Sequence, residues 1–230
     1  MYFSQDLMIA AMFLHRRNYV DRPREQMEGY FRHLSGVQPG DVISFGRHRI
    51  SEGMKPQERT ALRRGITWNV LERTGDRLLR ISEYIIDCEM FGDYHDTWET
   101  SFLQEELNGD CLNDWFTWEE QSLLVREPDA VFLLGANGVR KFFSRPGSAR
   151  AVMLQTDDFL ADDGTDLPII GEEYHEWWLR SPGTDDGCIM YVDCSGNIDQ
   201  EGYDPGADEF GVRPVIRIDL SRIPLIYKDK

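Results

Sequence analysis

The chain has 230 residues, of which 41% are hydrophobic and 12% aromatic, a composition that supports a sizeable core and excludes a disordered chain. Its formal net charge is −16, which argues against nucleic acid and anionic lipid as partners because both carry charge of the same sign. The four cysteines, Cys88, Cys111, Cys188 and Cys194, form no CxxC pair, so we expect reduced thiols rather than a disulfide framework or a zinc knuckle.

The N-terminal part of the chain has a helical pattern. Ser4 can cap a helix whose apolar residues recur at helical spacing as far as His15, and residues 22–34 present a second apolar face. We expect a helical extension over residues 1–36 that packs on the main domain or on another subunit. The main domain would then occupy residues 37–230.

No segment of the sequence reaches the roughly 20 apolar residues that a membrane-spanning helix needs. The apolar run near the N-terminus is preceded by Asp6 and is followed by the basic pair Arg16 and Arg17, which is the reverse of a secretory signal. We therefore expect a cytoplasmic protein.

Strand patterns begin at Asp41. Apolar and polar residues alternate over 41–50, and a polar bridge follows over 51–65. The β-rich runs 66–71 and 77–82 are separated by a short segment that contains Gly and Asp. This arrangement predicts a β-hairpin.

The middle of the chain has helical signals. Thr97 can cap a helix that Asn108-Gly109 ends, and the pair Thr117 and Glu120 has the spacing of a capping box. Between and after these signals we expect a short buried strand over 130–134 and a helical turn over 139–143.

Strands return in the C-terminal third. An acidic, irregular stretch over 155–175 predicts a long surface loop, and the strands that follow it are expected over 177–180, 188–193, 197–203 and 212–220.

Several of these segments, in this order, carry a resemblance to a known family. They are Gly40-Asp41 with Phe45-Gly46, Trp68-Asn69-Val70-Leu71, Thr97-Trp98-Glu99-Thr100-Ser101, Glu106-Leu107-Asn108, Trp177-Trp178-Leu179-Arg180-Ser181-Pro182-Gly183, Tyr191-Val192 with Gly196, and Gly211-Val212-Arg213-Pro214-Val215. The chain resembles the bacterial domain-of-unknown-function family numbered 6273, which is marked by its WWLRS segment. The resemblance covers roughly residues 40–220.

That family looks related to the C-type-lectin fold, which it would share with formylglycine-generating enzymes and with the variable proteins of diversity-generating retroelements. The resemblance implies an α+β domain: a small twisted antiparallel sheet with flanking helices and long loops, here carrying the N-terminal helical extension. It implies no activity, because one fold hosts many functions.

The tryptophan strand contains the first candidate binding residues. If residues 177–180 form a strand, Trp178 and Arg180 share one face, and an aromatic ring beside a cation suits sugars, peptides or carboxylates. The alternative, which we favour, is a core strand in which the tryptophans are buried and an internal carboxylate holds Arg180.

The run over 211–218 alternates strictly and predicts one continuous strand. Because proline cannot donate to a ladder, Pro214 indicates a sheet edge or a position whose backbone N faces outward. We expect this strand to lie beside the tryptophan strand, so that Arg180 and Arg213 come close together. A structural ion-pair network with buried carboxylates is the favoured interpretation, and an anion site is the alternative.

Acidic residues raise the question of a calcium site, because calcium prefers clustered oxygen ligands. The acidic loop contains Asp157, Asp158, Asp162, Asp163 and Asp166, and Glu127-Pro128-Asp129 resembles the calcium motif Glu-Pro-Asn of lectins. However, that motif precedes the long loop, no Trp-Asn-Asp segment follows it, and the loop spacing does not fit an EF-hand. A solvated acidic loop without a metal is favoured over a calcium site.

The sequence contains no complete catalytic site. Among the five histidines, His95 lies beside Asp93 and Asp96, but the motifs of hydrolases, zinc proteases and phosphate-binding loops are absent. Cys188 and Cys194 do not have the sequence context that formylglycine-generating activity requires. The chain is therefore expected to bind rather than to catalyse.

Three functions remain open. The first is a binding module whose loops over 155–175, 182–188 and 199–210, with Asp185 and Asp204 in the last two, recognise a protein or glycan. Trp178, Arg180 and Arg213 complete its candidate ligand-binding residues. The second is a metal-assisted or redox enzyme related to the formylglycine-generating group. The third is a phage-derived assembly protein that forms homo-oligomers through its N-terminal helices.

Overall fold

The computed structural model describes residues 33–49, 63–145, 147–154 and 170–223. The expected N-terminal helices lie almost wholly outside the described residues, as do the five aspartates of the acidic loop and most of the polar bridge. Of the expected N-terminal helical extension, only residues 33–36 are described, and they are helical.

Twelve strands and four complete α-helices lie in the described part of the chain. The strands are β1 (Val42–Arg49), β2 (Arg63–Thr74), β3 (Arg77–Ser82), β4 (Asp87–Cys88), β5 (Val131–Phe132), β6 (Ala151–Leu154), β7 (Ile170–His175), β8 (Trp177–Pro182), β9 (Ile189–Val192), β10 (Ile198–Tyr203), β11 (Gly211–Val212) and β12 (Val215–Asp219). The helices are α1 (Phe102–Asn108), α2 (Asp110–Trp115), α3 (Trp118–Leu123) and α4 (Ala136–Phe142). Short 3-10 helices cover Trp98–Thr100 and Leu220–Arg222.

The strands form two five-stranded sheets and one separate pair. The first sheet has the order β1-β2-β3-β12-β5, the second has the order β10-β9-β8-β11-β4, and β6 pairs with β7. Neighbouring strands are antiparallel except β8 and β11, which run parallel where Trp177 faces Gly211. The structure is thus of the mixed α+β class, with mainly antiparallel sheets and few helices.

The hairpin predicted in the first sheet is confirmed as β2 and β3. Strand β3 has the predicted bounds, whereas β2 is longer than predicted at both ends, so the turn shrinks to Gly75 and Asp76. Gly75 has φ of +60°, a left-handed conformation that glycine adopts without a steric cost from a side chain. A tight turn therefore forms there, and the pairing reaches Thr74 and Arg77.

The continuous strand predicted over 211–218 is wrong. The chain pairs with β8 through β11, breaks at Arg213 and Pro214, and then enters the first sheet as β12 beside β3 and β5. Proline has no backbone N–H and cannot donate a hydrogen bond to a neighbouring strand. The chain therefore crosses between the sheets at a residue that would interrupt the strand pairing. The tryptophan strand therefore lies beside β11, as expected, whereas β12 lies in the other sheet.

The helix predicted from Thr97 is divided in two. A 3-10 helix over Trp98–Thr100 ends at Ser101, whose side-chain oxygen accepts a hydrogen bond from Gln104 N at 3.1 Å and so caps α1. A serine at this position competes for backbone donors and starts a new helix. The predicted end at Asn108-Gly109 is confirmed.

Other local predictions have mixed outcomes. The capping box at α3 is confirmed, since Thr117 Oγ1 accepts from Glu120 N at 3.3 Å and Glu120 Oε2 accepts from Thr117 N at 3.0 Å. The buried strand over 130–134 and the helical turn at 139–143 appear as β5 and α4. The end of the expected acidic loop is instead strand β7, which pairs with β6.

One core joins the sheets and helices. Its largest fully buried side chains include Trp68, Trp177 and Trp178, each of which satisfies its indole N–H with a backbone carbonyl oxygen. Such pairing is what makes a buried indole favourable. None of the helices in the described part of the chain has the length and apolar character that a membrane crossing requires.

Candidate functional site

Trp178, the aromatic candidate, lies in the core. Its exposed fraction is 0%, its Nε1 donates to Glu89 O at 2.9 Å, and its ring stacks on Phe210 with centroids 4.2 Å apart. A ligand does not reach this ring in the present structure. The residue has the core role that the sequence favoured over a binding platform.

Arg213, the second candidate, is also buried, with an exposed fraction of 4%. Its guanidinium donates to Ser82 O at 3.1 Å and to Ala149 O at 3.2 Å and lies 5.1 Å from the Trp177 ring. No carboxylate of the described residues is within ion-pair distance of it. The expected ion-pair network is therefore wrong for Arg213, because backbone carbonyls take the place of acids.

Burial has an electrostatic cost for Arg213. Removal from water lowers the pKa of its guanidinium to about 10, and the nearby carboxylate of Glu83 opposes that shift. Because Arg213 sits where the chain crosses between the sheets, its hydrogen bonds join β3, the segment before β6 and the crossing itself. Arg213 thus links the crossing to the first sheet by hydrogen bonds and packs on Trp177 of the second sheet.

Asp185 and Asp204 are exposed, and each accepts a hydrogen bond within a local turn. Asp185 O accepts from Cys188 N at 3.2 Å, and Asp204 Oδ1 accepts from Gly206 N at 2.9 Å. Burial raises the pKa of the Cys188 thiol, and the charges of Asp185 and Asp204 raise it further. The two segments lie next to each other, since Asp185 N donates to Glu201 O at 3.2 Å. Asp185 and Asp204 are available to a partner.

Arg180, the remaining candidate, lies in a different environment from Trp178. It is half-buried on β8, and its Cζ atom is 5.1 Å from the centroid of the Phe132 ring. Arg217, on β12 of the other sheet, places its Cζ atom 4.3 Å from the same centroid. The structure thus brings Arg180 together with Arg217 rather than with Arg213.

A cleft of about 440 Å³ opens beside these two arginines, within the size range of small-molecule sites. It lies where β2, β3, β5 and β12 of the first sheet meet β8 of the second and helix α4. Its lining consists of Glu72, Leu79, Phe132, Leu134, Gly135, Asn137, Gly138, Lys141, Phe142, Arg180, Ser181, Pro182 and Arg217. Apolar walls and a few charged groups are the usual composition of a ligand site.

Hydrogen bonds between different elements hold the walls of the cleft. Arg180 N donates to Leu134 O at 3.0 Å, and Ala136 N donates to Ser181 Oγ at 3.0 Å. These bonds tie β8 to the segment that runs from β5 into α4. Asn108 in turn holds β5, since its Oδ1 accepts from Val131 N at 3.1 Å. The backbone of β5 is therefore held on this side, and the Phe132 side chain that it carries is buried.

The charges of the cleft are unequal. Lys141 Nζ is 2.8 Å from Glu72 Oε2 and 4.6 Å from the Phe142 centroid. Arg180 and Arg217, in contrast, have no carboxylate of the described residues within ion-pair distance. Three cations and one carboxylate line the cleft, which leaves an excess of two positive charges.

Arg217 is under electrostatic strain. Burial lowers the pKa of its guanidinium, the positive charge of Arg180 lowers it further, and Asp129 raises it. Its Nη1 donates to Glu127 O at 3.0 Å. An anion bound in the cleft beside Arg180 and Arg217 would offset their mutual repulsion.

The Glu127-Pro128-Asp129 segment has a structural role. Both carboxylate oxygens of Asp129 accept hydrogen bonds, from Trp98 Nε1 at 2.8 Å and from Gln104 Nε2 at 2.7 Å. Within the described residues, no group of three or more His, Cys, Asp or Glu side chains is placed to hold a metal ion. The calcium alternative for the acidic loop lies outside those residues.

The residues considered for catalysis are His95, Cys188 and Cys194, and both of these cysteines are free thiols, with Cys194 exposed. His95 Nδ1 is 3.8 Å from Asp186 Oδ1, and both side chains are largely exposed. Burial and nearby carboxylates raise the pKa of the Cys88 thiol to about 11 and that of Cys111 to about 12. Little thiolate, the reactive form, is then present at neutral pH.

Sequence reasoning missed Arg217, Phe132 and Lys141 as site residues. Arg217 carried one usable signal, because it falls on the same face as Arg213 in the alternating run. Phe132 and Lys141 carried none, since a phenylalanine in a buried strand and a lysine on a helix are ordinary residues there.

Comparison of the chain with protein-family models, with curated proteins and with solved structures finds no match.

Proposed function

We propose that the chain is a ligand-binding module and that its ligand presents an anionic group to Arg180 and Arg217. The observation that carries this proposal is the shared ring: two guanidiniums from different sheets lie 5.1 Å and 4.3 Å from the centroid of Phe132. They do so at the wall of a cleft, and no carboxylate of the described residues pairs with them.

Two features make this pair a recognition element rather than a source of stability. Like charges held close together repel each other, so the arrangement costs free energy in the absence of an anion. Guanidiniums that rest on an aromatic ring are already oriented, and their planar donors match carboxylate and phosphate oxygens. Binding an anion therefore recovers free energy with little loss of side-chain entropy.

At the level of the fold, we extend the proposal to a C-type-lectin-like domain that displays recognition loops. The resemblance in the WWLRSPG and GVRPV segments and the mainly antiparallel α+β architecture support it. The exposed Asp185 and Asp204 lie in two of those loops and would contact a larger protein or glycan ligand. On this view the cleft takes one anionic group, and the loops widen the contact.

A pair of small probes tests the proposal. Benzoate and benzamide have nearly the same shape, but only benzoate is charged, so a site built on Arg180 and Arg217 should distinguish them. Chemical-shift changes of the amides of α4 and β8 would report binding. For a ligand of this size we expect a Kd of about 1–10 mM for benzoate and no saturable shift with benzamide.

Variants complete this test. Arg180→Gln and Arg217→Gln should each weaken benzoate binding by about tenfold, since each removes a charge-assisted contact. Arg140→Gln is the matched control, because Arg140 is exposed on α4 outside the cleft lining and the variant has the same change in net charge. Equal binding of benzoate and benzamide, or equal losses in all three variants, would refute the anion site.

A further inference from the structure

The ligand class of this cleft is narrowed by the number of charges that line it. Arg180, Arg217 and Lys141 face one carboxylate, that of Glu72, so the lining has an excess of two positive charges. A ligand with a single negative charge would leave one of them uncompensated in a partly enclosed site, which is unfavourable. Charge balance therefore favours a dianion.

The positions of the cations favour a compact dianion over two separated anionic groups. Both arginines lie against one ring, since their Cζ atoms are 5.1 Å and 4.3 Å from the Phe132 centroid. These two distances together set the upper limit of the separation between the Cζ atoms. Lys141 is held by Glu72 on the wall formed by β2 and α4. The unpaired positive charge is thus concentrated at the Phe132 wall.

Ser181 adds a neutral donor to the same wall. Its Oγ accepts the hydrogen bond from Ala136 N at 3.0 Å, which leaves its hydroxyl proton to donate to a ligand oxygen. Ser181 follows Arg180 on β8 and lines the cleft. A group with three acceptor oxygens has one acceptor for each guanidinium and one for this hydroxyl.

The remaining walls are apolar. Leu79, Leu134, Phe142 and Pro182 line the cleft beside the charged groups. They would cover a hydrocarbon or aromatic body attached to the anionic group, and burial of that surface adds to the affinity.

We propose that the ligand is a phosphate monoester with a small apolar body. Such a group has a charge between about −1.5 and −2 near neutral pH, with three acceptor oxygens on one centre. The inference rests on the proposed anion-binding function and makes it more specific. Asp129, the further carboxylate that acts on Arg217, does not line the cleft, and both its oxygens already accept hydrogen bonds.

Phenyl phosphate and phenyl sulfate provide the test, because they have nearly the same shape and differ by one negative charge once the phosphate has lost its second proton. At pH 7.5 we expect phenyl phosphate to bind at least about tenfold more tightly than phenyl sulfate. The preference should shrink as the pH falls through about 6, where phosphate monoesters gain a proton. A pH effect on the four charged cleft residues would act on both probes alike. It therefore cancels in the ratio of the two affinities.

Two variants at the ion pair sharpen the comparison. Lys141→Gln lowers the positive excess and should reduce the preference for phosphate over sulfate, whereas Glu72→Gln raises that excess and should increase the preference. Arg140→Gln, outside the cleft lining, should leave the ratio unchanged. A preference that responds equally to Lys141→Gln and Arg140→Gln would show that only overall charge matters and would overturn the inference.

The outcomes separate this inference from the proposed function. Equal affinities for the two probes, both lost in Arg180→Gln, would overturn the dianion and leave the anion site intact. No binding of either probe or of benzoate would overturn both. If phosphate is preferred, phosphotyrosine and a peptide that contains it distinguish the source: equal affinity indicates a small molecule, and tighter binding of the peptide indicates a modified protein. Either result supports a phosphate monoester.

Discussion

Asn108 should be more important for stability than its half-buried position suggests. Its Nδ2 donates to Gln104 O at 3.0 Å and to Val131 O at 2.8 Å, while its Oδ1 accepts from Ala130 N at 3.0 Å and from Val131 N at 3.1 Å. The amide thus binds the backbone of β5, an end strand of the first sheet. Asn108→Ala would leave that edge of β5 without these partners.

Asn113 offers a matched control for the size of the effect. Its Nδ2 donates to the carbonyl oxygen four residues earlier, at 2.9 Å, as that of Asn108 does, but its side chain makes no hydrogen bond to β5. A hydrogen bond contributes about 0.5–1.5 kcal/mol net, and a buried group left unpaired costs about 1–3 kcal/mol. We expect Asn108→Ala to lower the free energy of unfolding by about 2–4 kcal/mol and Asn113→Ala by about 0.5 kcal/mol.

Urea unfolding followed by tryptophan fluorescence and far-ultraviolet circular dichroism measures this difference. Replacement of asparagine by alanine raises the helix propensity by nearly the same amount in both variants. This contribution therefore cancels in the difference between their free energies of unfolding. The midpoints should differ while the slopes stay equal, because the surface exposed on unfolding is unchanged. Free energies of unfolding for Asn108→Ala and Asn113→Ala that agree within about 0.5 kcal/mol would refute the role of Asn108 as the link to β5.

Three further outcomes follow from the structure. Burial and nearby carboxylates raise the pKa of Cys111 to about 12, so iodoacetamide at pH 8 should label the exposed Cys194 well before Cys111, as read by peptide mass spectrometry; equal rates would contradict the burial. Gly183→Ala should lower the free energy of unfolding by about 1–3 kcal/mol, because its Cβ would collide with a backbone carbonyl oxygen of β10. Gly36→Ala meets no atom within 4 Å and is its control in the same denaturation assay. The pKa of Asp219 is lowered from 3.8, first by the Ser221 hydroxyl, so its folded carboxylate stabilises the protein at neutral pH. The stability lost in Asp219→Asn should therefore be present at pH 7 and decline once the pH falls below about 4, toward the lowered pKa of the folded carboxyl; a difference that does not decline on acidification would refute it.

Local signals predicted local structure well. The β2–β3 hairpin, the capping box at α3 and the end of α1 at Asn108-Gly109 all depend on residues within a few positions of each other. Turn and cap chemistry acts over that distance, so it can be read from the chain directly. The helix from Thr97 was mispredicted for the same kind of reason, because Ser101 was read as a helical residue rather than as a second cap.

The candidate site could be predicted only in part. Arg180 was singled out from its own strand, but its partner was taken to be Arg213 because the run over 211–218 was read as one strand. The break at Pro214 sends Arg213 into the core and Arg217 into the cleft. Proline marked an interruption of the ladder, but its position alone did not show that the chain continues in a different sheet.

Composition and periodicity were enough to establish a folded, acidic α+β chain with its main strands and caps, because hydrophobic patterning and turn residues act along the chain itself. The packing of one sheet against the other decided whether Trp178 faces a ligand or the core. It also brought Phe132, Arg180 and Arg217 together. These three residues come from separate strands, and their charges and rings interact only after long-range packing has brought the strands together.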